Sequence, residues 1–305
     1  MTRGHSPASA PQVLVLLATF NGSRWIAEQL QSILDQEAVS VKVLVSDDMS
    51  SDGTLDILGR YAGDPRVTIV SQGRHGSAAA NFFFLIRLAQ GCTFDFLALA
   101  DQDDVWHPQK LMRAVQAIRE RQVAAISTNV TAFWPDGREA LVRKDQAPGS
   151  LNHFFESAGP GCTYVMADGM AHALANFVAV RMPDLVSVDF HDWMIYAWAR
   201  TNGYRWWTDP WPSLRYRQHS SNALGANAGL RGKIVRWRML RNGWYRAQVL
   251  RIATLCDAQA QPTMVRLQRL GWIDRFVLAT HVRHMRRRWV DCVALAFIFL
   301  VGHKN

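Results

Sequence analysis

Four short apolar runs, residues 13–18, 41–45, 67–70 and 94–100, alternate with segments of helical periodicity over the first 121 positions. Bounded by turn residues, runs this short read as strands covered on both faces. The intervening stretches, 24–34, 55–61, 78–89 and 108–121, carry apolar residues at helical spacing, as in Trp25, Ile26, Leu30, Ile33 and Leu34. Strands and helices alternating in this way cross over right-handed into a parallel sheet. The expected class is therefore α/β, a mostly parallel sheet flanked by helices, with ligands bound at the strands' carboxyl edge.

The strand exits are polar. They read Thr19-Phe20-Asn21-Gly22, then Asp47-Asp48 with the turn Met49-Ser50-Ser51-Asp52-Gly53-Thr54, then Gln72-Gly73-Arg74-His75-Gly76-Ser77, and finally Asp101-Gln102-Asp103-Asp104-Val105-Trp106. Three carboxylates at one strand end repel one another unless a cation neutralises them. Oxygen-only ligands with no nearby Cys or His point to Mg²⁺ or Mn²⁺, which takes one or two carboxylates plus substrate diphosphate oxygens. The plain alternative is a solvated acidic loop that caps the next helix, where Pro108 suits the first turn. No GxGxxG follows the first strand and no GxxxxGKS/T occurs, so a dinucleotide fold has little support and the P-loop class is removed.

Further on, 123–128 reads as a strand, Pro135-Asp136-Gly137 as a hairpin turn, and 159–166 as a turn into a buried strand followed by a helix toward Phe177. His191-Asp192-Trp193-Met194 opens a helix to about Arg200, where the helix dipole alone explains an Asp in the first turn. Residues 204–207 and 214–217 read as a final strand pair, which Tyr216-Arg217-Gln218-His219 leaves. The four cysteines form no CxxC pair, which argues against zinc or disulfides and fits a reducing cytoplasm. Residues 1–11, rich in Ser, Ala and Pro, lack the apolar core of a signal peptide and read as a flexible tail.

Five segments in this order and spacing, 18–22, 46–54, 101–106, His191-Asp192-Trp193 and 216–219, resemble the nucleotide-diphospho-sugar glycosyltransferases of family 2, and within it the bacterial rhamnosyltransferase-like group. The resemblance spans residues 12–225. It implies a GT-A fold and an inverting, metal-dependent transfer, with Mn²⁺ or Mg²⁺, from a dTDP- or UDP-linked sugar, rhamnose being the sugar this group suggests. The implied acceptor is a surface polysaccharide or a lipid-linked saccharide. Position by position, Thr19, Asn21, Asp47 and Asp48 match the nucleotide pocket. Asp101 and Asp103 match the DxD motif, with Asp103 the direct metal ligand and Asp101 facing the ribose or sugar. Asp192 matches the general base. Two departures stand out: Met49 replaces a glycine, and Ser220-Ser221 follows His219 where glycine or asparagine is usual.

Other residues carry paired readings. Arg217 is suited to grip a diphosphate, or is a solvated strand-edge arginine. His219 completes the metal site or holds a donor phosphate, or is simply hydrogen-bonded. His191 orients its loop rather than ionising. Trp106 and Trp193 wall a sugar site or pack in the core, and Trp206, Trp207 and Trp211 line an acceptor groove or pack.

Charge decides the reading of the C-terminal region. The net charge is +9, but from Arg231 onward 15 Lys and Arg face three Asp, a net of +12 that leaves residues 1–230 at −3. Carboxylates rather than cations therefore occupy the ligand edge, which disfavours nucleic acid as a partner. Residues 226–305 read as a basic amphipathic helical region, as in Ile234, Val235, Trp237, Met239 and Leu240 among arginines. The apolar end, 290–301, is too short to span a bilayer, and Arg286-Arg287-Arg288-Trp289 before it suits headgroup level. The expectation is peripheral attachment to an anionic surface, the inner face of the cytoplasmic membrane, with packing on the catalytic domain or homo-dimerisation as the alternative. The rival functions are a metal-dependent nucleotidyl- or phosphotransferase and a nucleic-acid-binding protein acting through this tail.

Overall fold

The computed structural model describes residues 10–71, 73–219 and 243–301. Four parallel strands form one half of the sheet in the order β3 (Val67–Ser71), β2 (Ser40–Asp47), β1 (Gln12–Thr19) and β4 (Phe96–Ala100). Thr19 is in register with Asp47, and Leu17 with Ala100, so the exits of β1, β2 and β4 share one edge. Beyond β4 the sheet turns mixed. β8 (Val165–Ala167) runs antiparallel to β4 and to β6 (Ala125–Phe133), and β9 (Trp206–Arg217) runs parallel to β6. β5 (Val105–Trp106) pairs antiparallel with β9, and β7 (Glu139–Val142) closes the hairpin from β6 around Asp136-Gly137.

Alternation along β1 sends Val13, Val15 and Leu17 to one face and Leu14, Leu16 and Ala18 to the other, each into its own apolar core. The first face is covered by α1 (Ile26–Leu34), α2 (Thr54–Gly59) and α4 (Lys110–Arg121). The second is covered by α3 (Ala78–Leu88), the four-residue α5 (Asn152–Phe155), α6 (Asp168–Leu185) and α7 (His191–Thr201). The latter core continues into five C-terminal helices, α8 (Trp244–Leu255), α9 (Pro262–Arg269), α10 (Trp272–Thr280), α11 (Val282–Met285) and α12 (Trp289–Val301), through Val249, Ile252, Met264, Leu278 and Phe299.

Three expectations change. The final strand pair is one strand, β9, which stays parallel to β6 along its length with register shifts near Asn129. Pro210 and Pro212 have no N–H to give a ladder, and a bulge between Asp209 and Pro212 absorbs them. Asp209 accepts from the Trp211 amide at 3.0 Å, and Asn129 Nδ2 donates to the Pro210 carbonyl at 2.9 Å. Next, α6 runs past Phe177 to Leu185 with Pro183 inside its last turn. Finally, Arg286 and Arg287 do not face headgroups: both guanidiniums turn inward onto the segment that follows α5. The expected helix around 234–240 and residues 1–9 lie outside the described residues.

Candidate functional site

The edge shared by β1, β2 and β4 is laced by side chains before any ligand is considered. Asp47 accepts from the Ser50 amide at 2.7 Å and its hydroxyl at 2.5 Å, and Ser50 Oγ in turn accepts from the Asn21 amide at 2.7 Å. Asn21 Oδ1 accepts from the Ser51 amide at 2.9 Å. Met49 takes the left-handed conformation, φ 62°, with its side chain exposed, so the turn accepts the missing glycine. Asp48 accepts from the amides of His75 and Gly76, tying β2 to the loop before α3.

Gln102, between the two DxD carboxylates, clasps the β1 exit. Its Oε1 accepts from Thr19 Oγ1 at 2.7 Å and the Phe20 amide at 2.8 Å, and its Nε2 donates to the Phe20 carbonyl at 2.9 Å. A Cβ on Gly22 would fall 2.3 Å from that Oε1, which explains the glycine. Sequence reasoning passed over Gln102, since a lone glutamine carries no pattern.

The carboxylates of the motif divide. Asp103 Oδ2 meets His219 Nε2 at 2.6 Å, and the His219 ring stacks on Trp25 with centroids 4.1 Å apart. Arg217 donates through Nε to the Asp103 carbonyl at 2.9 Å and pairs with Glu28. In this geometry Arg217 therefore ties α1, the motif and the β9 exit together. Asp101, Asp104 and Cys162 form a second group, with a ligand atom from each lying within 4.8 Å of the others. Asp104 is fully buried, and its Oδ2 has no hydrogen-bond partner among the described residues.

Burial and the neighbouring Asp103 push the Asp101 carboxyl up to about 7, and burial raises Asp104 well above the usual carboxylate range. Beneath them Lys110 Nζ donates to the Cys162 carbonyl at 2.5 Å and sits 3.2 Å from the Trp106 ring centroid, its own pKa lowered to about 7 by burial. Trp106 is thus a buried platform for Lys110. An orphaned buried carboxylate oxygen among crowded acids fits a divalent cation. The expectation that no Cys or His lies near does not hold in space, since Cys162 and His219 both come close. Burial pushes the Cys162 thiol up, and Mg²⁺ or Mn²⁺ prefers the hard carboxylate oxygens beside it.

Asp192 lies across the turn Gly161–Thr163 from this group. Its Cβ is 3.2 Å from where a Gly161 Cβ would stand, and its charge acts on Asp101. At the start of α7 its Oδ1 accepts from the Trp193 amide at 2.8 Å, while burial raises its carboxyl to about 6. His191 is buried, stacked on Phe82 at 3.9 Å and lowered to about 3 by burial, and its Nε2 has no hydrogen-bond partner among the described residues. Trp193 is buried, donates to the His153 carbonyl at 3.1 Å and stacks on Tyr245, the arrangement of its packing reading. Trp206 and Trp207 start β9, at the end opposite Arg217, and Trp211 sits beside His107 and Arg113.

Behind Asp192 runs the segment 156–159. The Ser157 hydroxyl donates to the Gly159 carbonyl at 3.0 Å and lies close enough to the Asp192 carboxyl to lower it, and Tyr164 Oη donates to the Asp192 carbonyl at 3.3 Å. Arg287 holds this segment from the far end of the chain. Its guanidinium donates to Glu156 Oε1 at 2.9 Å, the Ala158 carbonyl at 3.1 Å, the Lys144 carbonyl at 3.2 Å and the Ser157 carbonyl. Arg286 donates to the Phe155 carbonyl at 2.8 Å.

Comparison with known proteins agrees with this architecture. Residues 14–163 match the pattern of glycosyl transferase family 2. The chain is 35% identical over 290 residues to the dTDP-rhamnosyl transferase RfbG of Shigella flexneri, covering 94% of this chain and 99% of that one. Among solved structures it resembles S. aureus TarS 1–349 in complex with UDP-GlcNAc (TM-score 0.56, 14% identity, 95% of this chain and 81% of that one). It also resembles the mannosyltransferase PcManGT of Pyrobaculum calidifontis in complex with GDP-Man and Mn²⁺ (TM-score 0.54, 16% identity, 97% and 86%). At these identities the two structures speak to the fold, which is GT-A.

Proposed function

Because the chain belongs to glycosyl transferase family 2 and is a glycosyltransferase, we propose that it moves rhamnose from a dTDP-linked donor to a saccharide acceptor with inversion at the anomeric carbon. The observation that carries this reading is the convergence of Asp192 with Asp101 and Asp104 about the turn Gly161–Thr163, a base facing the donor-side acids. The near full-length match to a dTDP-rhamnosyl transferase supports the sugar and the base of the nucleotide. Family membership displaces the nucleotidyltransferase and nucleic-acid readings.

In this mechanism Asp192 takes the proton of the acceptor hydroxyl as its oxygen attacks the anomeric carbon, and the bond to the nucleoside diphosphate breaks on the opposite face. With a carboxyl at about 6, Asp192 is ionised at neutral pH yet basic enough to accept a proton. Thr19, Asn21, Asp47 and Asp48 would hold the nucleotide. Asp101, Asp103 and Asp104, with His219 beside Asp103, would hold Mn²⁺ or Mg²⁺, which supplies electrostatic stabilisation of the leaving diphosphate. Arg217, already bonded to the motif backbone, would brace the loop that faces the phosphates.

The division of labour follows the charge. Residues 12–225 would carry the transfer, and 226–305 would attach the enzyme to the anionic surface at which a lipid-linked saccharide is presented. No helix among the described residues is long and apolar enough to cross a membrane.

Thermal unfolding with a panel of nucleoside diphosphates and their sugar conjugates, with and without Mn²⁺, tests the donor. The expected result is a metal-dependent rise in midpoint, largest for the dTDP series and lost in Asp103→Ala. No shift with any member refutes the donor assignment. The anomeric configuration of the product, read by NMR, tests the single displacement, which a retained configuration would exclude.

A further inference from the structure

We infer that α10 and α12 form one interfacial face that inserts into an anionic lipid surface. The inference deepens the membrane placement proposed above and is independent of which sugar is transferred.

Fifteen large hydrophobic side chains are exposed among the described residues, and nine of them, Trp272 to Val301, belong to these two helices. On α12, Trp289, Val293, Phe297 and Val301 recur every four positions, opposite the buried Cys292, Leu295 and Phe299. On α10, Trp272, Ile273 and Phe276 are exposed while Leu278 turns into the core. Trp272 is 85% exposed and Trp289 75% exposed, which is a poor arrangement for indoles in water and a favourable one at a headgroup boundary. Monomeric soluble proteins rarely concentrate apolar surface in this way.

Charge identifies the occupant. The two carboxylates on these helices are engaged in ion pairs: Asp274 with Arg266 at 3.1 Å and Asp291 with Arg286 at 3.7 Å. Arg283 and Arg288, between the two apolar stripes, are exposed. The face is thus apolar and cationic, the combination that binds anionic headgroups. A second copy of this chain fits less well, because a two-fold contact sets the same patch against itself and brings like cations together. With 13 residues at about 1.5 Å each, α12 falls short of the ~30 Å hydrocarbon core, so it lies in the interface rather than spanning it. The inward arginines give this face a fixed relation to the chemistry. Arg286 and Arg287, at the junction of α11 and α12, are bonded to the segment that backs Asp192.

Flotation of the full chain with vesicles of equimolar phosphatidylglycerol and phosphatidylcholine, against vesicles of phosphatidylcholine alone, tests the face. Wild type should float with the anionic vesicles at low salt. Trp272→Ser/Phe276→Ser and Trp289→Ser/Phe297→Ser should each lower the bound fraction by about tenfold or more, and Arg283→Glu/Arg288→Glu should do the same on anionic vesicles. Undiminished flotation of these variants overturns the inference, as does failure of wild type to bind. A wild type that is dimeric by light scattering, made monomeric by the same apolar substitutions, assigns the face to a second copy and also overturns it. Nucleotide-induced thermal stabilisation should be unchanged in all three variants, which separates failure of this face from failure of the donor assignment.

Discussion

Replacing Arg287 by alanine removes a guanidinium whose side chain is 3% exposed and which donates to a carboxylate and three backbone carbonyls. Removing one partner of a buried ion pair costs ~3–5 kcal/mol, because the remaining charge is left without compensation. Here Arg286 stays 3.7 Å from Glu156 Oε2 and retains part of that compensation, so the lower end, about 3 kcal/mol, applies. At ~2.1 cal/mol/K per residue, unfolding 305 residues carries ~0.64 kcal/mol/K, so the thermal midpoint should fall by about 5 °C. The loss should be insensitive to salt, since a buried pair is weakly screened. Arg287→Lys keeps the charge but loses the planar fork and should recover only part of it.

The same substitution reaches the chemistry. The Ser157 hydroxyl lowers the Asp192 carboxyl, and Arg287 holds the Ser157 carbonyl, so loosening the segment should move the acid limb of the pH–rate profile upward. Thermal unfolding and the rate profile are the assays. An Arg287→Ala midpoint within about 1.5 °C of wild type, equivalent to under ~1 kcal/mol, would refute the account of this clamp.

Asp192→Asn should lower turnover by ~10²–10⁴-fold while nucleotide-induced stabilisation is kept, and an active variant would remove Asp192 as the base. In wild type, turnover should fall as pH drops below about 6, where Asp192 takes up its proton, and the residual rate of Asp192→Asn should lack that limb. The linked stability has the opposite sign. A carboxyl raised from 3.8 to about 6 binds its proton more tightly when folded, so its contribution is present at low pH and is lost as pH rises from about 4 through 6; urea titrations of wild type and Asp192→Asn should show the difference. Asp104→Asn replaces a buried carboxyl whose Oδ2 is unpartnered with a neutral isostere that keeps the Oδ1 acceptor for the Arg217 amide, so the metal-free protein should melt at the wild-type temperature or above while Mn²⁺-dependent stabilisation is lost. Gly161→Ala places a Cβ 2.5 Å from Nε2 of the buried, stacked His191 and should cost ~1–3 kcal/mol in urea unfolding.

The four parallel strands were legible because each is a short apolar run ending at a polar exit, and burial on both faces admits no other pattern. Strand β9 was not, because Pro210 and Pro212 carry the signature of a turn, and only Asp209 and Asn129, folded against them, make a bulge instead. The candidate acids were visible as a motif, but their partners were not. Cys162 and His219 reach Asp104 and Asp103 only through the topology, and Lys110 reads as an ordinary helix lysine until Trp106 and Cys162 enclose it. A run of three arginines before an apolar helix reads as solvated charge. Glu156, 131 positions before Arg287, turns one of them inward, and nothing local signals it.

The site itself divides where the family pattern stops. Thr19, Asn21, Asp47, Asp48 and Asp101 to Asp104 fall within residues 14–163, and these are the groups assigned to the donor and its cation. Asp192 on α7, Arg217 at the end of β9, His219 just after it and Arg287 at the α11–α12 junction fall beyond it. Nucleotide recognition, as proposed, uses strand exits that any sheet of this topology repeats, so it leaves a general pattern. The surroundings of Asp192, the side proposed to meet the acceptor, bring Arg287 from the far end of the chain onto the segment holding Ser157, beside Tyr164, and such an arrangement has no short signature. The match that continues through this second half, over 94% of the chain, bears more directly on acceptor and sugar than the family pattern does. Exchanging residues 164–301 between this chain and that relative should therefore carry acceptor preference with the exchanged half and leave the nucleotide preference behind. A chimera that kept its original acceptor would show that the acceptor is read by the donor half.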